Sequence, residues 1–282
     1  MTFTIILKQK QQLINKELKK YFSSKYLKGP SSLINAAKYS VLSDGKRFRP
    51  ILTLMTAEAL GKGEKKVMPA AVALELIHDF SLIHDDLPCM DNDDYRRGKP
   101  TCHKKFTEAA ALLAGDALII YAFKLIAANY SVAKEKDILK VITELADASG
   151  FSGMTGGQAI DISLSKEDID DAALYYVHSH KTGALIRCAV RMGAILSGAT
   201  AKELNALTKY GQDIGLIFQI TDDILDMDEK DEKISFPSFY GLSESKKILN
   251  KLAESALKSL KIFGKRADNL REVVYYLLKR RK

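Results

Sequence analysis

Residues 81–100 read SLIHDDLPCMDNDDYRRGKP, and the rest of the chain is organised around them. Asp85, Asp86, Asp91, Asp93 and Asp94 fall within ten residues, and Arg96, Arg97 and Lys99 follow at once. An apolar run leads in: Val72, Leu74, Leu76, Ile77, Phe80, Leu82 and Ile83. That much negative charge at the end of a buried helix is unfavourable unless cations neutralise it. Carboxylates supply the hard oxygen ligands that Mg²⁺ takes, and Mg²⁺ is commonly shared with substrate phosphates. Neighbouring arginines would hold the phosphate oxygens that such a metal leaves exposed. The stretch predicts a helix ending in a metal–diphosphate site.

A second acidic cluster, Asp222-Asp223-Ile224-Leu225-Asp226, closes another apolar helical pattern with Ile214, Leu216, Ile217, Phe218 and Ile220. Asp222 and Asp226, four apart, share a helix face. Asp85 and Asp91, six apart, diverge on an ideal helix, but Pro88 between them makes that helix irregular and leaves room for both to meet a metal. A single acidic helix end is most simply solvated surface, and Asp168, Asp170 and Asp171 are read that way. Two clusters that each follow an apolar face favour function, because buried charge needs a partner. Gly45-Lys46-Arg47-Phe48-Arg49-Pro50 is a compact cationic turn, and Lys181-Thr182-Gly183 follows His178 and His180. Each alone reads as a solvated loop; with the two clusters they suggest two anions around shared metals. His78 and His84 beside the first cluster read as structural more readily than as ligands.

Outward from these clusters the dominant signal is helical periodicity. The pattern predicts helices over 4–22, 31–42, 50–60 with Pro50 at the first position, and 68–87. It continues over 107–128, 136–150, 172–197, 202–227, 243–262 and 268–281, with 229–241 as a polar loop. The 107–128 helix is apolar on nearly all sides and is expected to be central. With six prolines, 17 glycines and no convincing alternating strand pattern, the expectation is one all-α domain spanning 1–282.

Composition narrows the function. The 282 residues are 46% hydrophobic and 28% charged, enough for a sizeable core. The net charge of +8 is spread along the chain, which fits small anionic substrates better than the concentrated footprint of a nucleic-acid binder. Cys89, Cys102 and Cys188 are too few and too far apart for a disulfide framework or a CxxC metal pair, as expected of a reducing cytoplasmic setting. Cys89 reads as a small filler residue. The apolar run Phe3–Leu7 is too short for a signal segment, and 109–123, interrupted by Gly115-Asp116, falls short of a membrane span. A soluble protein is expected.

Taken together, GKRFRP (45–50), SLIHDDLPCMDNDDYRRGKPTCH (81–103), GDAL (115–118), GGQAID (156–161), HKTGALIR (180–187) and FQITDDILD (218–226) resemble the short-chain trans-prenyl diphosphate synthases, most nearly the bacterial-type farnesyl diphosphate synthases. The resemblance covers nearly the whole chain in the family's order and spacing, and Leu87-Pro88 looks like the insertion of the bacterial and plant type. It implies an all-α isoprenoid-synthase fold with aspartate-rich helices around a deep central cavity, usually in a homodimer. Three Mg²⁺ ions are implied, with Mn²⁺ as a substitute. Asp85 and Asp91 would hold two, supported by Asp86, and Asp222 a third, with Asp226 in its outer shell. Arg96, Lys181, Thr182 and Gln219 would bind the allylic diphosphate, and Lys46, Arg49, His78 and Arg97 isopentenyl diphosphate. The implied chemistry is ionisation of the allylic C–O bond, followed by attack of the isopentenyl double bond. Phe80, five residues before Asp85 and followed by Ser81, would floor the product cavity and favour C15 over C20; otherwise it is one more apolar residue of a buried helix.

The chain departs from the family after DDILD, where MDEKDE leads almost directly to Lys233-Ile-Ser-Phe-Pro237. Lys233 would stand for the lysine that reaches the allylic diphosphate. The basic end, Lys279 to Lys282, would either fold back on the diphosphates or fray. Within the family, geranylgeranyl and geranyl diphosphate synthases are the alternatives. Outside it are an HD-type metal phosphohydrolase, prompted by His78-Asp79 and His84-Asp85, and a non-catalytic subunit of a larger synthase.

Overall fold

The fold is known from a computed structural model that describes residues 2–131, 133–164, 170–227 and 235–280. In chain order the helices are α1 (Phe3–Tyr21), α2 (Ser31–Val41), α3 (Phe48–Ala59), α4 (Met68–Asp85), α5 (Cys102–Lys105), α6 (Glu108–Ala127) and α7 (Glu135–Ser149). They continue with α8 (Met154–Ser163), α9 (Asp171–Val177), α10 (Gly183–Leu196), α11 (Ala201–Leu225), α12 (Phe236–Tyr240), α13 (Leu242–Ser259) and α14 (Asp268–Lys279). Among the described residues the only strands are β1 (Tyr95–Arg96) and β2 (Lys99–Pro100), an antiparallel pair with Tyr95 opposite Pro100. The all-α expectation holds.

Residues 1–51 and 68–138 form one compact unit, and 52–67 and 139–282 a second. In the first, α4 packs on α6, and α1 and α2 pack against α4. Leu74, Leu76 and Ile77 of α4 are fully buried with Ala111, Ala114 and Ala122 of α6. The small α6 residues let the two backbones approach. A methyl group at Gly115 would stand 2.1 Å from His84 Nε2, and His84 Nε2 pairs with the Leu112 carbonyl at 3.1 Å. His84 is therefore structural, and the glycine of GDAL makes its place.

In the second unit α11 packs against α10 and α13. Burial runs almost the length of α10, from Gly183 to Leu196. Thr200 and Glu203 form a reciprocal capping box that starts α11. A Cβ on Gly215 would lie 2.8 Å from the Gly183 Cα, so α10 and α11 cross at two glycines.

Several expectations are corrected. Helix α3 starts at Phe48, so Pro50 is its third residue, where its missing N–H still costs no helical bond. The pattern over 172–197 is split between α9 and α10 by a π-helical turn, His178–Thr182. The region 229–241 contains a buried helical turn, because Ser235 caps α12 and Phe236 packs its ring against Tyr175, His178 and Tyr240. Helix α6 is not central on every side, since Leu113 and Ile120 are 56% and 72% exposed. It has 20 residues, and an 18-residue stretch of it has a mean hydropathy of 1.8, so it is long and apolar enough to cross a membrane, contrary to expectation, although 44% of that stretch is buried inside the protein.

Candidate active site

Helix α4 ends at Asp85 because Pro88 cannot continue it, and the chain then coils back. Leu87 N–H donates to His84 O at 3.1 Å, Asn92 N–H to Leu87 O at 3.1 Å, and Asp91 N–H to Asp85 O at 2.8 Å. Six residues of separation are thereby cancelled, and Asp91 returns to the end of the helix beside Asp85. Asp91 is exposed and Asp85 half-buried. Asp86 is buried and accepts from Arg96 Nε at 2.5 Å, while Arg96 Nη2 reaches Asp93 at 3.1 Å. Burial pushes the Asp86 carboxyl up, and the Arg96 guanidinium opposes that. Asp86 and Arg96 are thus bound to each other.

The cationic residues of this unit converge through a tight hairpin. Arg97 and Gly98 both have positive φ, 54° and 73°, the two central residues of the turn joining β1 to β2. The Arg97 guanidinium lies against Gly45, where a Cβ would meet its Nη1 at 2.9 Å, and it donates to Ser43 Oγ at 3.3 Å. The first cationic turn is pinned to the α4 helix by Arg47, which donates to Glu75 at 2.8 Å, Asn15 at 2.9 Å and the Val41 carbonyl at 2.8 Å. Burial, then Arg49, Arg97, Arg47 and Arg96, drive the His78 imidazole well below its ordinary value. Arg49, Arg97 and His78 are therefore gathered, and Lys46 is exposed on the same turn. A small cleft beside them is lined by Ser43, Asp79, Asp86, Arg96, Arg97 and Thr101, among others. Arg47 received no role from its sequence. The signal was Glu75 and Asp79, two acids one turn apart in an otherwise apolar helix; burial and Glu75 push Asp79 up.

The second cluster ends α11 in the other unit. Asp222 accepts from Arg280 Nη1, and the Arg280 guanidinium stands 5.6 Å from the Phe218 ring centre. Arg280 is therefore not frayed, while 281–282 lie outside the described residues. Asp226, the C-cap, is exposed. Asp223 accepts from Gln219 Nε2 at 2.8 Å and from the Phe236 N–H at 2.9 Å. His178 Nε2 is 3.7 Å from the same carboxylate, and burial holds His178 below its ordinary value. The Thr182 hydroxyl donates to Gln219 Oε1 at 2.8 Å. Lys181 Nζ is 2.6 Å from Asp161, and a Cβ on Gly157 would sit 2.3 Å from the Lys181 N, so the GGQAID helix closes on the turn 178–182. Asp170, read as solvated, is exposed and caps α9 through the Ala173 N–H. Asp168 and Lys233 lie outside the described residues.

Each of the two donor sets, taken by itself, suits a hard divalent cation shared with phosphate. Asp85, Asp91, Asp222 and Asp226 offer carboxylate oxygens at two helix ends, and a cation already sits on Asp222. Among the described residues no three His, Cys, Asp or Glu side chains form a group able to hold a metal by themselves. A histidine-ligated hydrolase centre needs such a group; a metal completed by substrate oxygens does not.

Residues 30–260 match the family described as polyprenyl synthetase. The chain is 44% identical to the farnesyl diphosphate synthase of Geobacillus stearothermophilus, over 90% of this chain and 84% of that one. It is 43% identical to the geranylgeranyl diphosphate synthase of Cyanophora paradoxa, over 89% and 88%. The crystal structure of an FPP/GFPP synthase from Zymomonas mobilis superposes with a TM-score of 0.89 at 37% identity, covering 96% of this chain and 98% of that one. The chain belongs to the polyprenyl synthetase family and has its all-α, isoprenoid-synthase fold. It is a prenyl-transferring enzyme, a trans-prenyl diphosphate synthase, of a family that acts on prenyl diphosphates and generally uses a divalent metal. The hydrolase and non-catalytic alternatives fall away.

Proposed function

We propose that the enzyme condenses isopentenyl diphosphate head to tail with dimethylallyl and then geranyl diphosphate, releasing diphosphate and ending at (E,E)-farnesyl diphosphate. The observation that carries the reading is the return of the Asp91 backbone onto the α4 end beside Asp85, which brings two carboxylate-bearing residues to one helix end near a cationic cluster. Asp85 and Asp91 would hold metal at the first cluster, and Asp222 with Asp226 at the second. Three Mg²⁺ ions, or Mn²⁺ in their place, would supply the positive charge that makes diphosphate a good leaving group. Lys181, Thr182, Gln219, Arg96 and Lys233 would orient the allylic diphosphate, Arg96 turning outward from Asp86. Arg49, Arg97, His78 and Lys46 would hold isopentenyl diphosphate so that its double bond faces the allylic carbon as the C–O bond breaks. The departing diphosphate takes the proton. Burial, and after it the surrounding arginines, disfavour protonation of His78, and its neutral ring would serve as a hydrogen-bond donor.

The C15 assignment rests on Phe80. Its ring is buried and stands edge-on to His84, 5.7 Å between centres, and His84 is locked against α6. A floor braced in this way would stop growth, with Ser81 beside it. Exposed Leu113 and Ile120, seven apart on one face of α6, support a homodimer, and three free cysteines suit a cytoplasmic setting. The test is incubation with isopentenyl and dimethylallyl diphosphates plus Mg²⁺, with products sized by chromatography. C15 is expected, and Phe80→Ala should lengthen the products. A C20 product from the unaltered enzyme would move the assignment to geranylgeranyl diphosphate; no condensation would overturn the reading.

A further inference from the structure

We infer that Asp223, although it lies inside the second aspartate cluster, is a positioning residue that sets the Gln219 amide and is not a metal ligand. This rests on the synthase reading above. The carboxylates of the cluster sort onto two rows of α11. Phe218, Asp222 and Asp226 follow one another at intervals of four, with Arg280 over the first two. Gly215, Gln219 and Asp223 form the other row, and Gly215 is where α11 crosses α10 at Gly183. That crossing brings Thr182, the residue before Gly183, against Gln219.

Both oxygens of Asp223 are committed, one within this second row and one to α12. Oδ1 accepts from Gln219 Nε2 at 2.8 Å, and Oδ2 accepts from the Phe236 N–H at 2.9 Å. An amide has one donating end and one accepting end, whereas a carboxylate only accepts. Asp223 therefore selects the rotamer in which Gln219 turns Nε2 toward it and Oε1 toward the Thr182 hydroxyl, 2.8 Å away. One N–H of Gln219 is used by Asp223, and the second remains as the donor that Gln219 can offer an anion. Reversal of the amide would present an acceptor where a diphosphate needs a donor.

The full-length protein tests this with Asp223→Asn, the double variant Asp223→Asn/Gln219→Glu, and Asp222→Asn for comparison. Mn²⁺ binding is followed by electron paramagnetic resonance with inorganic diphosphate present, and KM is measured separately for dimethylallyl and isopentenyl diphosphates. Asp223→Asn should keep Mn²⁺ affinity within about twofold, while Asp222→Asn loses about tenfold or more. Asp223→Asn should raise the allylic KM about tenfold, the order of one hydrogen bond, and leave the isopentenyl KM in place.

The double variant separates packing from substrate binding. A carboxylate at position 219 can accept from the Thr182 hydroxyl and from an amide N–H at position 223, whose oxygen still accepts from the Phe236 N–H. The same three hydrogen bonds form with the carboxylate moved, and only the His178 Nε2 contact at 3.7 Å loses its charged partner, so thermal stability should stay near that of the unaltered protein. The donor offered by Gln219 is gone, so the allylic KM should stay raised about tenfold or more while the isopentenyl KM is unchanged. Loss of Mn²⁺ affinity in Asp223→Asn equal to that in Asp222→Asn would overturn the inference, as would a double variant whose allylic KM is normal. If the single variant melts too low to assay, the double variant decides by its two KM values. Absence of prenyl transfer in the unaltered protein would overturn the synthase reading instead, and the Mn²⁺ comparison would still decide the role of Asp223.

Discussion

Asp85 and His78 stand two turns apart on α4 and face opposite problems of charge. Asp85→Ala removes a carboxylate from the pair completed by Asp91, and condensation should fall at least about a hundredfold while circular dichroism stays helical. Near-normal turnover would remove Asp85 from the proposed metal site. His78 instead sits among Arg49, Arg97, Arg47 and Arg96, and with burial they disfavour its protonation in the folded state. The unfolded chain binds that proton near pH 6.5, so the stability tied to His78 is present above that pH and is lost as pH falls toward the depressed folded-state value. Denaturant titrations of His78→Gln should therefore show a shallower loss of stability below pH 6.5. His178, also depressed by burial, accounts for part of what remains. An unchanged slope would place the acid sensitivity elsewhere.

The crossing of α10 and α11 shows the same dependence of site on packing at the level of elements. A methyl group on Gly215 would press on the Gly183 backbone at 2.8 Å, and backbone cannot swing aside as a side-chain tip can. Gly215→Ala should cost about 1–3 kcal/mol in a denaturant titration and raise the allylic KM, because Thr182 and Gln219 separate as the helices do. Long elements such as α4, α6 and α11 were legible because their apolar periodicity extends over several turns. The π-helical turn at 178–182 was not, since one extra residue inside a continuous apolar pattern barely disturbs it. Helix α12 was hidden for a different reason: five residues carry no periodicity, and its place depends on a Phe236 N–H that Asp223 accepts. The acidic and basic site residues stood out by charge, whereas Arg47, equally charged and fully buried, could be told from its neighbours only by its distant partner Glu75.

For the molecule as a whole, a formal charge of +8 favours encounter with small polyanions over long distances. The proposed homodimer would use the exposed face of α6 that carries Leu113 and Ile120. Leu113→Lys with Ile120→Lys should convert a dimer to monomer in sedimentation velocity runs, and an unaltered protein already monomeric at micromolar concentration would rule that dimer out. Arg280 ties the last described residue of the chain to Asp222, 58 residues earlier. It stands as a resident counter-ion to Asp222. If Asp222 holds a divalent ion as proposed, that ion would exchange with the Arg280 guanidinium, and its measured affinity would be a difference between two strong attractions. On that reading, a protein ending before Arg280 would hold the proposed ion more tightly.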